Sequence, residues 1–178
     1  MIVGVALDVS LSMEDILPCV CNETLELVQS VNPEKIVFCT FSDDVHCETF
    51  NVDELKTKIR SVRPIGMTAM YDGVTTMLHQ LMEFAKSGHG VLAVVVTDGF
   101  ENASVLYTQK DLVKAKDDLR RIAGKDSIRE ICIGENLKAA TVLRNSTPGL
   151  EVSNSQTALR NSRSISGAFD GIKKSSKV

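Results

Sequence analysis

The chain lacks any surplus of positive charge: 20 lysines and arginines stand against 23 aspartates and glutamates, a formal net charge of −3. Binding a phosphate backbone requires a basic patch or stripe, and the few basic residues that gather do so near the C-terminus. Nucleic acid is therefore not an expected partner. Nor does any apolar run approach the ~20 residues needed to cross a bilayer. The first apolar run is short, carries no basic leader or small-residue cleavage site, and passes straight into polar residues. Neither a membrane span nor a secretion signal is expected. The five cysteines, Cys19, Cys21, Cys39, Cys47 and Cys132, are odd in number and match neither a zinc site nor a secreted disulfide framework. They read as small buried hydrophobes kept reduced in a cytoplasmic protein, and the sequons at Asn22, Asn102 and Asn145 then read as chance matches. A glycine-rich phosphate loop is missing. His46, His79 and His89 fall at no strand end, so no catalytic histidine is expected. No repeat, linker or low-complexity stretch divides the 178 residues, which suffice for one domain with a real core and are short for two.

What is present is an alternation of strands and helices. A β-branched run from Ile2 to Asp8 reads as a strand buried on both faces. Apolar residues then recur at helical spacing from Met13 to Val31. Pro18 conflicts with a helix already running at Met13, so the helix either starts near Leu17 or kinks there. Lys35–Phe41 is a second strand, Ser42-Asp43-Asp44 a turn, and residues 45–52 a third strand, necessarily antiparallel and so at an edge. Asp53 is expected to cap a short helix through Leu55 and Ile59. The loop 63–69 leads into a long helix whose buried stripe runs through Met70, Val74, Met77, Leu78, Leu81 and Ala85. Val91–Thr97 is the most strand-like segment. Thr108 and Asp111 form a capping box before a helix carrying Leu112, Ala115 and Leu119. Beyond it come a strand at 128–133, a short helix at 137–143, a brief strand at 150–152, and a last helix from about Thr157 with Ile165, Phe169 and Ile172 on one face.

This pattern implies an α/β fold: a doubly wound, mostly parallel six-stranded sheet with one antiparallel edge strand and helices on both faces. One domain, 1–172, is followed by a basic tail, 173–178. Such sheets bind ligands at the carboxyl ends of their strands, where the strand order reverses.

Three segments carry oxygen ligands to such ends: Asp8-Val9-Ser10-Leu11-Ser12, Gly66-Met67-Thr68-Ala69 and Thr97-Asp98-Gly99. Carboxylates and hydroxyls suit a hard cation. Asp and Ser also favour turns and helix starts, so the first triplet alone decides nothing, and the other two segments give it weight. Together the three resemble the metal-ion-dependent adhesion site of von Willebrand factor A domains, in this order and at comparable separations. The likeness extends to Met13, Tyr71-Asp72 and Glu101-Asn102 and covers essentially the whole chain, in the manner of a stand-alone intracellular member.

The resemblance implies that Ser10, Ser12 and Thr68 give hydroxyl ligands to Mg²⁺, with Mn²⁺ or Ca²⁺ as alternatives. It implies that Asp8 and Asp98 coordinate directly or through water. It further implies a non-enzymatic module that docks an Asp or Glu of a protein partner through the ion. In some members the last helix slides when the site fills; residues 162–172 correspond to it here, and a rigid clamp is the alternative. Many members have glycine where this chain has Leu11. Leu11 and Phe100 are either partner contacts or tucked into neighbouring loops, and Val9, Met67 and Tyr107 complete a candidate apolar rim. Asp72 is expected to serve the electropositive start of its helix rather than the metal. The competing reading is a Mg²⁺-dependent phosphohydrolase or phosphotransferase, which needs a nucleophile and a phosphate-holding cation. The haloacid-dehalogenase pattern would need an aspartate where Ser10 stands, and Arg63 and Lys110 are the nearest basic residues outside the three loops. No enzyme is expected, and the oligomeric state is not indicated.

Overall fold

The N-terminal apolar run becomes the middle of a sheet. In a computed structural model, which describes residues 1–98, 101–132, 166, 167, 169, 170 and 173, strand β1 (Ile2–Asp8) is buried at every position. It lies parallel between β2 (Lys35–Phe41) and β4 (Val91–Thr97). β3 (Val45–Phe50) runs antiparallel to β2 at one edge, and β5 (Ile128–Cys132) runs parallel to β4. The order is β3-β2-β1-β4-β5. Five strands are thus described, four of them parallel to one another; the expected strand at 150–152 and helix at 137–143 lie outside the described residues.

Because side chains alternate along a strand, the sheet feeds two cores. Val3, Val5, Leu7, Ile36, Phe38, Val94 and Val96 pack beneath α1 (Leu17–Val31) and α2 (Val52–Ile59). Ile2, Ala6, Val37, Phe41, Ala93 and Val95 pack beneath α3 (Met70–Lys86) and α4 (Gln109–Ala123). Each fully buried aliphatic or aromatic side chain contributes about 1.5–3 kcal/mol. Helices therefore cover both faces of an α/β sheet. Phe169 is fully buried in the first core. Lys173, expected to open the tail, is helical and reaches the carboxylates of Glu23 and Glu26 on α1, at 3.0 Å each.

Local chemistry explains the element boundaries. α1 starts at Leu17 with Pro18 in its first turn, where a missing N–H leaves nothing unpaired; Leu11–Met13 is a separate 3₁₀ turn. α2 corrects one expectation, because its N-cap is Asn51 and not Asp53. Asn51 Oδ1 accepts the Glu54 N–H at 2.9 Å, and Glu54 Oε2 accepts the Asn51 N–H at 2.8 Å. From Asp53 the third residue on is Lys56, which cannot return such a bond. The capping box of Thr108 and Asp111 forms as expected.

The cysteines depart from expectation. Cys39 and Cys47 face each other directly across β2 and β3 and are joined in a disulfide. A tight hairpin puts residues equidistant from its turn opposite one another, which neither an odd count nor linear spacing reveals. Cys19 and Cys21 are free and half-buried; the side chain of Cys132 lies outside the described residues.

Candidate metal centre

β1 and β4 are neighbours although the chain leaves β1 in the other direction, through α1 to β2. The strand order therefore reverses between them, and their carboxyl ends, Asp8 and Asp98, open on the same crevice. Asp8 is fully buried. Its Oδ1 accepts the Ser10 N–H at 2.9 Å, and its Oδ2 accepts the Thr97 hydroxyl at 2.6 Å. The Ser10 and Ser12 hydroxyls lie 3.0 Å apart, and Ser12 donates to Asp98 Oδ1 at 2.9 Å. One hydrogen-bonded chain thus joins Asp8, Ser10, Ser12 and Asp98. Burial pushes the Asp8 carboxyl up to about 6, opposed by the hydrogen bonds from Ser10 and Thr97, while the Asp98 charge pushes the same way as burial. Burial beside the Asp98 charge disfavours the ionised form of Asp8, and a cation bound there would reverse that.

Thr68, also buried, follows a loop that runs beside the Ser10 loop. The Ile65 N–H donates to Val9 O at 2.8 Å and the Leu11 N–H to Gly66 O at 3.1 Å, so the loop before Thr68 lies alongside the Ser10 loop. The Thr68 N–H donates to Asn102 Oδ1 at 2.8 Å, while Thr68 O accepts from the Asn102 and Ala103 N–H groups at 3.0 and 3.2 Å. Gly66 stands at φ 69°, a left-handed conformation that glycine adopts without penalty.

Asp72 stands in the first turn of α3 and does more than face the electropositive start of that helix. Its buried carboxylate accepts the backbone N–H groups of Val105, Leu106 and Tyr107 at 2.7–3.1 Å and so fixes the loop after β4. Glu101 works beside it, accepting the N–H groups of Tyr71, Ala103 and Ser104 and the Ser104 hydroxyl. Glu101 thereby satisfies one of the orphan N–H groups at the start of α3, whose own N-cap position, Ala69, has no side chain to do so. The sequence offers no local signal for the bonds that join Asp72 to the 105–107 backbone and Glu101 to the Tyr71 N–H, which span about thirty residues.

The rim differs in part from expectation. Leu11 and Met67 are indeed exposed, at 59% and 54%, whereas Val9 is buried because its backbone is pinned between Phe41 O and the Ile65 N–H. Tyr107 is half-buried against His79; Gly99 and Phe100 lie outside the described residues. Three further apolar side chains stand out on these loops: Ile65 at 62%, Val105 at 88% and Leu106 at 73%. Apart from Met1 and Ile122, every exposed large hydrophobe among the described residues belongs to this set.

Among the described residues no group of three or more His, Cys, Asp or Glu side chains could hold a metal. The donor set at this crevice is of another kind, two carboxylates and neutral hydroxyls. Such a set fits a hard, oxygen-seeking cation and not zinc or an iron–sulfur cluster.

No protein-family model matches the chain, and no curated protein matches it. Solved structures do. The PilB minor pilin from Streptococcus sanguinis superposes with a TM-score of 0.64 at 14% identity, over 98% of this chain and 61% of that one. The conserved hypothetical protein BatB from Bacteroides thetaiotaomicron gives 0.62 at 15%, over 98% and 99%. Manganese-loaded TRAP protein from Plasmodium vivax gives 0.63 at 12%, over 95% and 71%. The chain spans about three-fifths of the pilin. At these identities the likeness is one of fold, and that fold is von Willebrand factor A-like.

Proposed function

We propose that the chain is a non-enzymatic protein-binding module that docks an acidic residue of a partner through Mg²⁺, with Mn²⁺ or Ca²⁺ able to substitute. Asp8, Ser10, Ser12, Thr68 and Asp98 would hold the ion. The observation that carries this reading is the hydrogen-bonded chain Asp8–Ser10–Ser12–Asp98 at the point where the strand order reverses. Bound there, the cation supplies an electrophilic position for an incoming carboxylate. The protein's own residues do the rest. Neutral hydroxyls leave the ion incompletely quenched, and a partly dry crevice strengthens its attraction for an anion. Leu11, Ile65 and Met67 stand exposed on the two loops that carry Ser10 and Thr68, and Val105 and Leu106 on the loop after β4; exposed apolar side chains mark protein contact sites when clustered. Asp72 and Glu101 hold the Val105–Leu106 tip in place before any partner arrives, lowering the ordering cost of binding.

The phosphohydrolase reading is disfavoured because Ser10 stands where the haloacid-dehalogenase pattern has a second aspartate, and because no Lys or Arg belongs to the three loops. Calorimetric titration with Mg²⁺ tests the site: wild type binds, and Asp98→Ala loses binding with an unchanged circular dichroism spectrum. An Asp98→Ala variant that binds Mg²⁺ as wild type does would place the ion elsewhere.

A further inference from the structure

Both loops that bring Ser10 and Thr68 to the crevice lean on one hairpin. The Val9 N–H donates to Phe41 O at 2.9 Å, the Ala69 N–H to Ser42 O at 2.8 Å, and the Met67 N–H to Asp43 Oδ1 at 2.9 Å. Phe41 ends β2, and Ser42 and Asp43 form the turn into β3. The fit is close. A Cβ on Gly66 would lie 2.0 Å from Asp43 Oδ2, and one on Gly73, in the first turn of α3, 2.5 Å from Phe41 Cβ. Among these braces only Asp43 acts through its side chain, and it holds the residue immediately before Thr68.

The hairpin is itself fastened by one covalent bond. Among the described residues β3 is an edge strand whose only strand partner is β2. The disulfide joins Cys39 to Cys47, with just two residue pairs, Thr40–His46 and Phe41–Val45, between it and the turn. Cys39 is buried against α3's face of the sheet, whereas Cys47 is half-buried, so the bond is approached from the Cys47 side.

We propose that Asp43 is a positioning residue for the metal centre, and that the Cys39–Cys47 disulfide sets how firmly the hairpin holds it, making cation affinity respond to thiol redox state. The inference rests on the metal reading proposed above. The chemistry is ordinary exchange. A thiolate of a dithiol reductant attacks the Cys47 sulfur, the S–S bond breaks, and Cys39 leaves as a thiolate that takes up a proton. The reductant's second thiolate then attacks the mixed disulfide, frees Cys47 as a thiol, and closes the reductant's own disulfide. Two electrons and two protons pass to the protein. An edge hairpin without its cross-link frays more readily, and Asp43 rides on its turn.

The test is Mg²⁺ titration of the oxidised protein, of the same protein reduced with a phosphine, and of Cys47→Ala, Asp43→Ala and Asp43→Asn, each checked for fold by circular dichroism. Loss of a residue that orients metal ligands costs about tenfold or more in affinity, and that loss is expected for the reduced protein, Cys47→Ala and Asp43→Ala. Asp43→Asn keeps an oxygen acceptor for the Met67 N–H and should retain near-wild-type affinity, as should protein re-oxidised after reduction. Should Cys47→Ala not fold, the reduced wild type and the Asp43 pair carry the comparison. Equal affinity in oxidised and reduced protein, or in wild type and Asp43→Ala, overturns this inference alone. So does peptide mapping that finds Cys39 and Cys47 as free thiols in protein purified without reductant. An oxidised wild type that binds no Mg²⁺ overturns the metal reading as well.

Discussion

The hydroxyl of Ser12 donates to Asp98 Oδ1 at 2.9 Å, although 86 residues separate the two. That single bond links the loop after β1 to the end of β4 and depends on those strands being neighbours in the sheet. It also ties one of the two strand-end carboxylates to the Ser10–Ser12 loop. The consequences can be measured.

Asp72→Ala should destabilise the fold. The carboxylate accepts three backbone N–H groups of the loop after β4 in part-buried hydrogen bonds, and a hydrogen bond to a charged group contributes about 1.5–3 kcal/mol. Urea denaturation should show a loss of ~3 kcal/mol. Asp98→Ala should stay within ~1 kcal/mol of wild type, because Asp98 is only half-buried at a strand end. Equal stability of the two variants would mean that Asp72 does not hold the loop.

Reducing the Cys39–Cys47 disulfide should also lower stability. The bridge closes a short loop, with a sequence separation of 8, for which chain entropy gives about 2.5 kcal/mol. Chemical denaturation with and without a phosphine reads this directly. Alkylation of the oxidised native protein should be slow at Cys19 and Cys21, since burial pushes both thiols up, Cys21 to about 11. Fast labelling of all four residues would contradict the pairing.

The Val105–Leu106 tip should matter to binding and not to folding. Both side chains are largely exposed, so Val105→Ser with Leu106→Ser should change stability by no more than ~0.5 kcal/mol at each site. Mg²⁺ affinity should be unchanged while capture of acidic peptides weakens. Unweakened capture would remove the tip from the docking surface.

Much of this was legible in the sequence wherever the signal is local. β1, β2 and β4 announce themselves as apolar runs, the Thr108–Asp111 box by its spacing, and Asp8, Ser10, Ser12 and Asp98 by falling at strand ends. The rest depends on which distant segments meet. Asp43 looks like an ordinary turn residue until the Met67 N–H reaches it. Glu101 and Asn102 enter the sequence reading only through the family likeness, and Asp72 as a helix-start residue, until two loops are seen to exchange hydrogen bonds across about thirty positions. The disulfide follows from hairpin register, and Val9 reads as exposed only if its pinned backbone is ignored. Even the misplaced cap of α2 is a contest between Asn51 and Asp53, two residues separated by Val52, decided by Glu54.

The most direct test of the central claim is selection from a displayed random-peptide library on immobilised wild-type protein in Mg²⁺, repeated in EDTA and on Ser10→Ala. The account predicts enrichment of peptides sharing an Asp or Glu on wild type in Mg²⁺ alone, with binding lost when that residue is changed to its amide. Peptides that bind equally in EDTA, bind Ser10→Ala as well as wild type, or carry no acidic residue would contradict it.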